Sequence, residues 1–109
     1  MSEFVSYLHE IFEPLGPISS RKMFGGHGIY YDGIMIGLVA DDELYLKVDA
    51  ESRPVFEQHD LPAFEFTAKG KTNKMSYHLA PESIFDDPDE ALRWGRLAHD
   101  AALRAKKKK

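Results

Sequence analysis

Five of the chain's eight glycines, Gly25, Gly26, Gly28, Gly33 and Gly37, fall within thirteen residues. They lie inside RKMFGGHGIYYDGIMIGLVADDELYLKVD, from Arg21 to Asp49, among aliphatic and aromatic residues that favour sheet. Glycine weakens a strand unless the backbone needs an unusual dihedral or a close approach. The run therefore specifies a particular sheet geometry. Strands are predicted at Ile18 to Phe24, His27 to Tyr31, Ile34 to Ala40 and Glu43 to Val48. Asp32–Gly33 is a two-residue hairpin signal, because a type I′ turn needs positive φ at both positions. Asp41–Asp42 makes the next turn. In the fourth strand Leu44, Leu46 and Val48 point one way, and Glu43, Tyr45 and Lys47 the other. One sheet face is expected under helices and the other at least partly wet. Gly25, Gly26 and Gly28 read as a tight strand connection or bulge, with at least one at a φ closed to residues with a Cβ.

Helices frame these strands. Phe4, Val5, Leu8, Ile11, Phe12 and Leu15 share one stripe at 100° per residue, so Ser2 is expected to cap a helix running to about Glu13. Pro14 and Gly16–Pro17 end it. Pro54 favours Ser52 over Asp49 as the cap of a short helix ending near His59. Phe64 to Ala68 and Lys74 to Leu79 alternate as a fifth and sixth strand, and Pro81 starts a short helical turn. Asp87–Pro88–Asp89–Glu90 reads as cap, first-turn proline and two acids at the positive end of a final helix to about Ala105. Ala91, Trp94, Ala98, Ala101 and Ala105 form its apolar stripe. The order α-β-β-β-β-α-β-β-α predicts an α+β domain with a mainly antiparallel sheet.

At 109 residues the chain is expected to be one domain, residues 1–105, followed by a basic tail at 106–109. The absence of cysteine excludes disulfides and thiolate metal sites. No apolar run approaches a membrane span and no signal-peptide pattern opens the chain, so a cytoplasmic protein without membrane contact is expected. The net charge is −4; Lys106, Lys107, Lys108 and Lys109 supply four positive charges, which leaves −8 on the rest. Such a body opposes general attraction to nucleic-acid phosphates.

No reactive constellation emerges from the pattern. Gly25–Gly26–His27–Gly28 leads into a strand, whereas a phosphate cradle leads into a helix. His9, His27, His59, His78 and His99 sit on separate elements with no pair at ligand spacing. Ser19, Ser20 and Ser76 lie in strands without a supporting base. Asp41–Asp42 and Asp86–Asp87 are explained as turn and cap. Lys69, Lys71 and Lys74, followed by Tyr77, suit either phosphate contact with base stacking or protection of a sheet edge. Arg21, Lys22 and Lys47 are candidates to join them on the wet face. No catalytic residue, cofactor or metal is expected.

The Arg21 to Asp49 run resembles the signature of the TfoX (Sxy) N-terminal domain family: a basic-basic-Met-Phe-Gly-Gly opening, a Gly-aromatic hairpin, then Leu-Tyr-Leu-Lys. Phe64 to Phe66, Lys69–Gly70–Lys71, Met75–Ser76–Tyr77, Pro81–Glu82 and Asp86–Asp87 continue the match, so the resemblance covers nearly the whole chain. His78 departs from the aromatic expected there. The resemblance implies an α+β fold similar to secretion chaperones and a link to competence-gene regulation alongside a cyclic-AMP receptor protein. Those regulators carry a further C-terminal helical domain, and this chain ends at Lys109. The reading is a non-enzymatic protein-interaction module whose partner belongs to machinery such as transcription, with a homodimer compatible. Its expected contact surface is the wet face at Arg21, Met23, Tyr30, Tyr45 and Lys47. Phe24, Gly25, Gly26, Gly28, Asp32, Gly33 and Trp94 are expected to serve structure. The alternative is a DNA-associated regulator using residues 69–74 and the terminal lysines; a small-molecule-binding domain is the third.

Overall fold

The computed structural model describes residues 3–23, 26–68 and 70–107, with backbone alone for 66–68 and 71–75. In chain order it comprises α1 (Glu3–Ile11), β1 (Ile18–Met23), β2 (Gly26–Tyr31), β3 (Ile34–Ala40), β4 (Glu43–Lys47), α2 (Arg53–Gln58), β5 (Ala63–Ala68) and β6 (Lys71–Leu79). A 3-10 turn (Glu82–Phe85) and α3 (Pro88–Lys107) complete it. The expected order is the observed one, and β3 has the expected bounds. The expected caps Ser2 and the residues Phe24, Gly25, Lys69, Lys108 and Lys109 lie outside the described residues.

The six strands form one sheet in the order β1-β2-β3-β4-β6-β5, every neighbouring pair antiparallel. The Asp32–Gly33 turn has the predicted positive φ at both residues, 54° and 77°. Asp41 and Asp42 make the β3–β4 turn in the same left-handed region, at 52° and 58°, which aspartate tolerates better than most side chains. The β2–β3 register slips by one residue, with Ile29 opposite Gly37 and Tyr30 opposite Met35. The extra residue, Ile36, stays in the core while Met35 and Leu38 share the opposite face with Tyr30 and Tyr45.

α1 and α3 cover one sheet face. Ile29, Ile36, Val39, Leu44, Leu46 and Val48 meet Val5, Leu8 and Phe12 of the first helical segment and Ala91, Trp94, Ala98 and Ala102 of α3. The alanines let α3 lie close, and Gly95 closes the gap to α1: a Cβ there would stand 3.1 Å from Leu15 and 3.4 Å from Phe12. Trp94 is 1% exposed, with Phe56 edge-on at 4.9 Å and His59 at 5.2 Å. α1 ends at Ile11, two residues before the expected Glu13, and the turn that follows leads to Gly16, whose φ of 141° is one that other residues rarely adopt and where a Cβ would stand 2.7 Å from the Tyr31 ring.

One helix cap differs from the expectation. Ser52 is helical (φ −90°, ψ −24°) and makes no cap hydrogen bond. The capping is done by Asp49, whose Oδ1 accepts from the Glu51 and Ser52 amides at 3.2 and 3.0 Å, while Ser52 Oγ accepts from the Asp49 amide at 3.0 Å. Proline at Pro54 fits a helix whose capping carboxylate lies a turn earlier than expected. Neither Gly26 nor Gly28 has positive φ; among the described glycines only Gly16, Gly33 and Gly70 do, and Gly25, the third glycine of that expectation, lies outside the described residues. What Gly26 and Gly28 require is space. A Cβ on Gly26 would land on the Val39 carbonyl oxygen, and one on Gly28 would stand 2.7 Å from Met23 Cε.

Candidate functional site: the open sheet face

The sheet face away from the helices gathers all five residues expected at a contact surface. Antiparallel pairing puts Arg21 opposite Gly28 and Met23 opposite Gly26, with Tyr30 two residues further along the same side. Leu38 pairs with Tyr45, and Lys47 with Tyr77, which extends the same face across β3, β4 and β6. Gly26 and Gly28 carry no side chain, so Met23 and Arg21 fold over the bare backbone of β2. The Arg21 guanidinium carbon lies 5.4 Å from the Tyr30 ring centre, and Lys47 Nζ lies 5.2 Å from that of Tyr77. Tyr45 meets Phe64 of β5 edge-on at 4.9 Å. The result is a plate of tyrosine, methionine, leucine and phenylalanine with cations laid across it.

Burial tunes the polar ends of this plate. It raises the Tyr77 hydroxyl above its ordinary pKa, with Tyr30 adding to the effect. Burial also raises Tyr45, helped by the Glu43 carboxylate, which accepts its hydrogen bond. The Lys47 ammonium is lowered by burial; Asp49 opposes this and Arg53 adds to it. Tyr77 is only 9% exposed although no helix covers it, because Lys47 and neighbouring side chains roof it.

Strand alternation in the sequence placed Arg21, Met23, Tyr30, Tyr45 and Lys47 on one face, as the pairing does, but missed Met35, Leu38, Phe64 and Leu79 on it. The bulge at Ile36 explains the first two, since unbroken alternation would set Met35 and Leu38 on opposite faces. Lys22, expected to join the face, lies on the other one with Ile18 and Ser20. Lys71 and Lys74 are described by backbone only, in β6. His78, the departure from the expected aromatic, also lies on the helix side, opposite Leu46. It is buried against Phe56, and its Nδ1–H donates to the Leu61 carbonyl at 2.7 Å. His78 therefore fills an aromatic's place in packing and takes no part in the open face.

The other candidates stay dispersed. His59 is exposed with Nδ1 at 2.9 Å from the Val55 carbonyl, and His99 sits edge-on to Tyr31 at 4.8 Å. Among the described residues no three His, Asp or Glu side chains stand close enough to hold a metal ion, and no helix is long and apolar enough to cross a membrane. An open cleft of about 730 Å³ lies between α2 and the β5–β6 edge, where Arg53, Glu57, Glu65 and His78 line it without converging on a point.

Comparison with known proteins agrees with this architecture. Protein Sxy of Escherichia coli (strain K12) is 27% identical, over 89% of this chain and 46% of that protein. DNA transformation protein TfoX1 of Aliivibrio fischeri (strain ATCC 700601 / ES114) is 28% identical, over 88% of this chain and 51% of that protein. The chain spans about half the length of these curated relatives. The family model described as the TfoX N-terminal domain matches residues 10–102, from the second half of α1 to the last turns of α3, and the chain belongs to that family.

Proposed function

We propose that the protein is a non-enzymatic regulatory module that works by docking another protein on its open sheet face, in a process related to DNA transformation. The observation that carries this reading is the composition of that face. Tyr30, Tyr45, Met23, Met35 and Arg21 are of the types enriched at protein interfaces and at their energetic hot spots, and they lie together on neighbouring strands. Tyrosine offers large contact area at low entropic cost, and the cations laid over the rings hold them in place. The name of the relative DNA transformation protein TfoX1 supplies the process.

The test is capture of the tagged protein from its own cells, in parallel with an Arg21→Glu/Tyr45→Ala variant, followed by mass spectrometry. Both positions are at least partly exposed, so the variant should melt close to the parent. A specific protein captured by the parent and lost by the variant is expected. Equal capture by both proteins would remove the open face from the account.

A further inference from the structure

A second surface lies at the end of the molecule where α1 meets the 3-10 turn. Tyr7 is the one large apolar side chain that stands exposed among the described residues, at 43%. It stacks on Phe85 at 5.9 Å and 11°, its hydroxyl donates to the Phe85 carbonyl at 3.4 Å, and Phe4 packs on the same ring at 6.1 Å. Phe85 lines two open clefts, of about 400 and 350 Å³. Glu10, Glu13, Asp86 and Asp87 rim one; Asp42, Glu43 and Glu82 rim the other. All seven acids are exposed, and no Lys, Arg or His lines either cleft. None of the seven belongs to an ion pair among the described residues. Asp87 has a structural task, capping α3 through the Asp89 amide at 2.9 Å, and Glu43 holds Tyr45. Asp42 forms the β3–β4 turn, and Glu10, Glu13, Glu82 and Asp86 have no such side-chain task among the described residues.

We propose that this aromatic-floored groove docks a basic polypeptide segment carrying lysines or arginines around a large apolar side chain. Charge complementarity selects the partner: seven carboxylates around two clefts that share Phe85, in a chain whose body carries −8, raise the local concentration of cationic segments and repel nucleic acid. The carboxylates are spread along the groove and do not converge as metal ligands. An extended chain of cations meets them better than a single ion. Tyr7 and Phe85 supply the apolar contact that separates docking from simple ion pairing. The groove shares Glu43 and Leu79 with the edge of the open sheet face but none of Arg21, Met23, Tyr30, Tyr45 or Lys47, so failure here leaves the open-face reading standing.

The experiment uses the full chain and three synthetic peptides: alternating lysine and leucine, alternating lysine and glycine, and alternating glutamate and leucine. Binding is measured by fluorescence titration and mapped by amide shifts. The lysine–leucine peptide should bind saturably, with shifts confined to α1, the 3-10 turn, the β3–β4 turn and the start of α3. Glu10→Lys/Asp86→Lys should weaken it by about tenfold or more, as should Glu13→Lys/Glu82→Lys, and added salt should weaken it progressively. Tyr7→Ser should erase the preference for lysine–leucine over lysine–glycine. Equal binding by the charge-reversed proteins, equal affinity of the parent for the two lysine peptides, or shifts centred on the open sheet face would each overturn the proposal.

Discussion

A methyl group added at Gly26 would strike the Val39 carbonyl oxygen across the β2–β3 ladder, whereas one at Gly33 would meet open space. The two glycines are needed for different reasons, and substitution separates them. Gly33 sits at φ 77°, so Gly33→Ala should cost about 1–2 kcal/mol, and Gly33→Asn should recover much of it, because asparagine tolerates that region. Gly26→Ala should cost about 3 kcal/mol or more, and asparagine should do no better, because the obstacle is backbone. Urea melts of the four variants read this directly. The hairpin glycine was legible in sequence because Asp-Gly has a local meaning; the Gly26 contact was not, because Val39 lies far along the chain. A second residue-scale contact was equally hidden. Arg104 in the last turns of α3 donates through Nε and Nη2 to Asp49, at 2.5 and 3.0 Å, while exposed Glu51 adds a contact at 2.6 Å. The Arg104 hydrogen bond, aided by Ser52 against the opposing effect of burial, holds the Asp49 carboxyl well below the usual carboxylate range. Its folded pKa is depressed, so the contact stabilises above the unfolded value of about 4 and is lost as pH falls from there. Arg104→Met should cost about 1 kcal/mol at neutral pH, allowing for the partly exposed guanidinium, and the gap to the parent should narrow below about pH 4. An unchanged gap at pH 3 would show that Asp49 is held by something else.

At the scale of elements, α3 carries the packing of the helical layer. Its alanine stripe and Gly95 bring the helix close to the sheet and α1, and Trp94 fills the remaining volume between Phe56 and His59. Trp94→Ala should therefore destabilise by roughly 3–5 kcal/mol. A loss below about 1 kcal/mol in urea would mean that the stripe contributes little. The helix was readable from its 3.6-residue period and its Asp-Pro start, and it begins at Pro88 as the capping pattern requires. β3 and β4 were readable from alternation and turn chemistry. β6 begins at Lys71, three residues before its apolar alternation begins at Lys74, because pairing with β5 extends a strand through polar residues that carry no pattern. The bulge at Ile36 had no local signal either. It decides which of Met35 and Ile36 faces the core, and so half of the open face depended on a feature of pairing that one strand cannot show.

Across the whole molecule, charge and exposed rings are sorted onto different surfaces. The open sheet face carries tyrosines under Arg21 and Lys47, the α1 end carries the acids, and Lys106 and Lys107 stand exposed at the end of α3. On this arrangement duplex DNA should bind weakly and without sequence preference. The slope of log affinity against log salt should be no steeper than about −4, the limit for four lysines, and deletion of residues 106–109 should abolish binding. Sequence-selective nanomolar binding that survives the deletion would favour the DNA-associated reading. The membership of the family was legible because its signature is made of turn glycines and strand residues that the fold itself requires. The partner was not legible, because any protein that complements a tyrosine plate satisfies the same sequence. The most direct measurement of the central claim is photo-crosslinking in the native cell, with a benzophenone amino acid placed at Leu38 on the open face or at Arg96 on the solvent side of α3. The account predicts a discrete crosslinked protein from Leu38 and none from Arg96. The same adduct from Arg96 with nothing from Leu38 would contradict it.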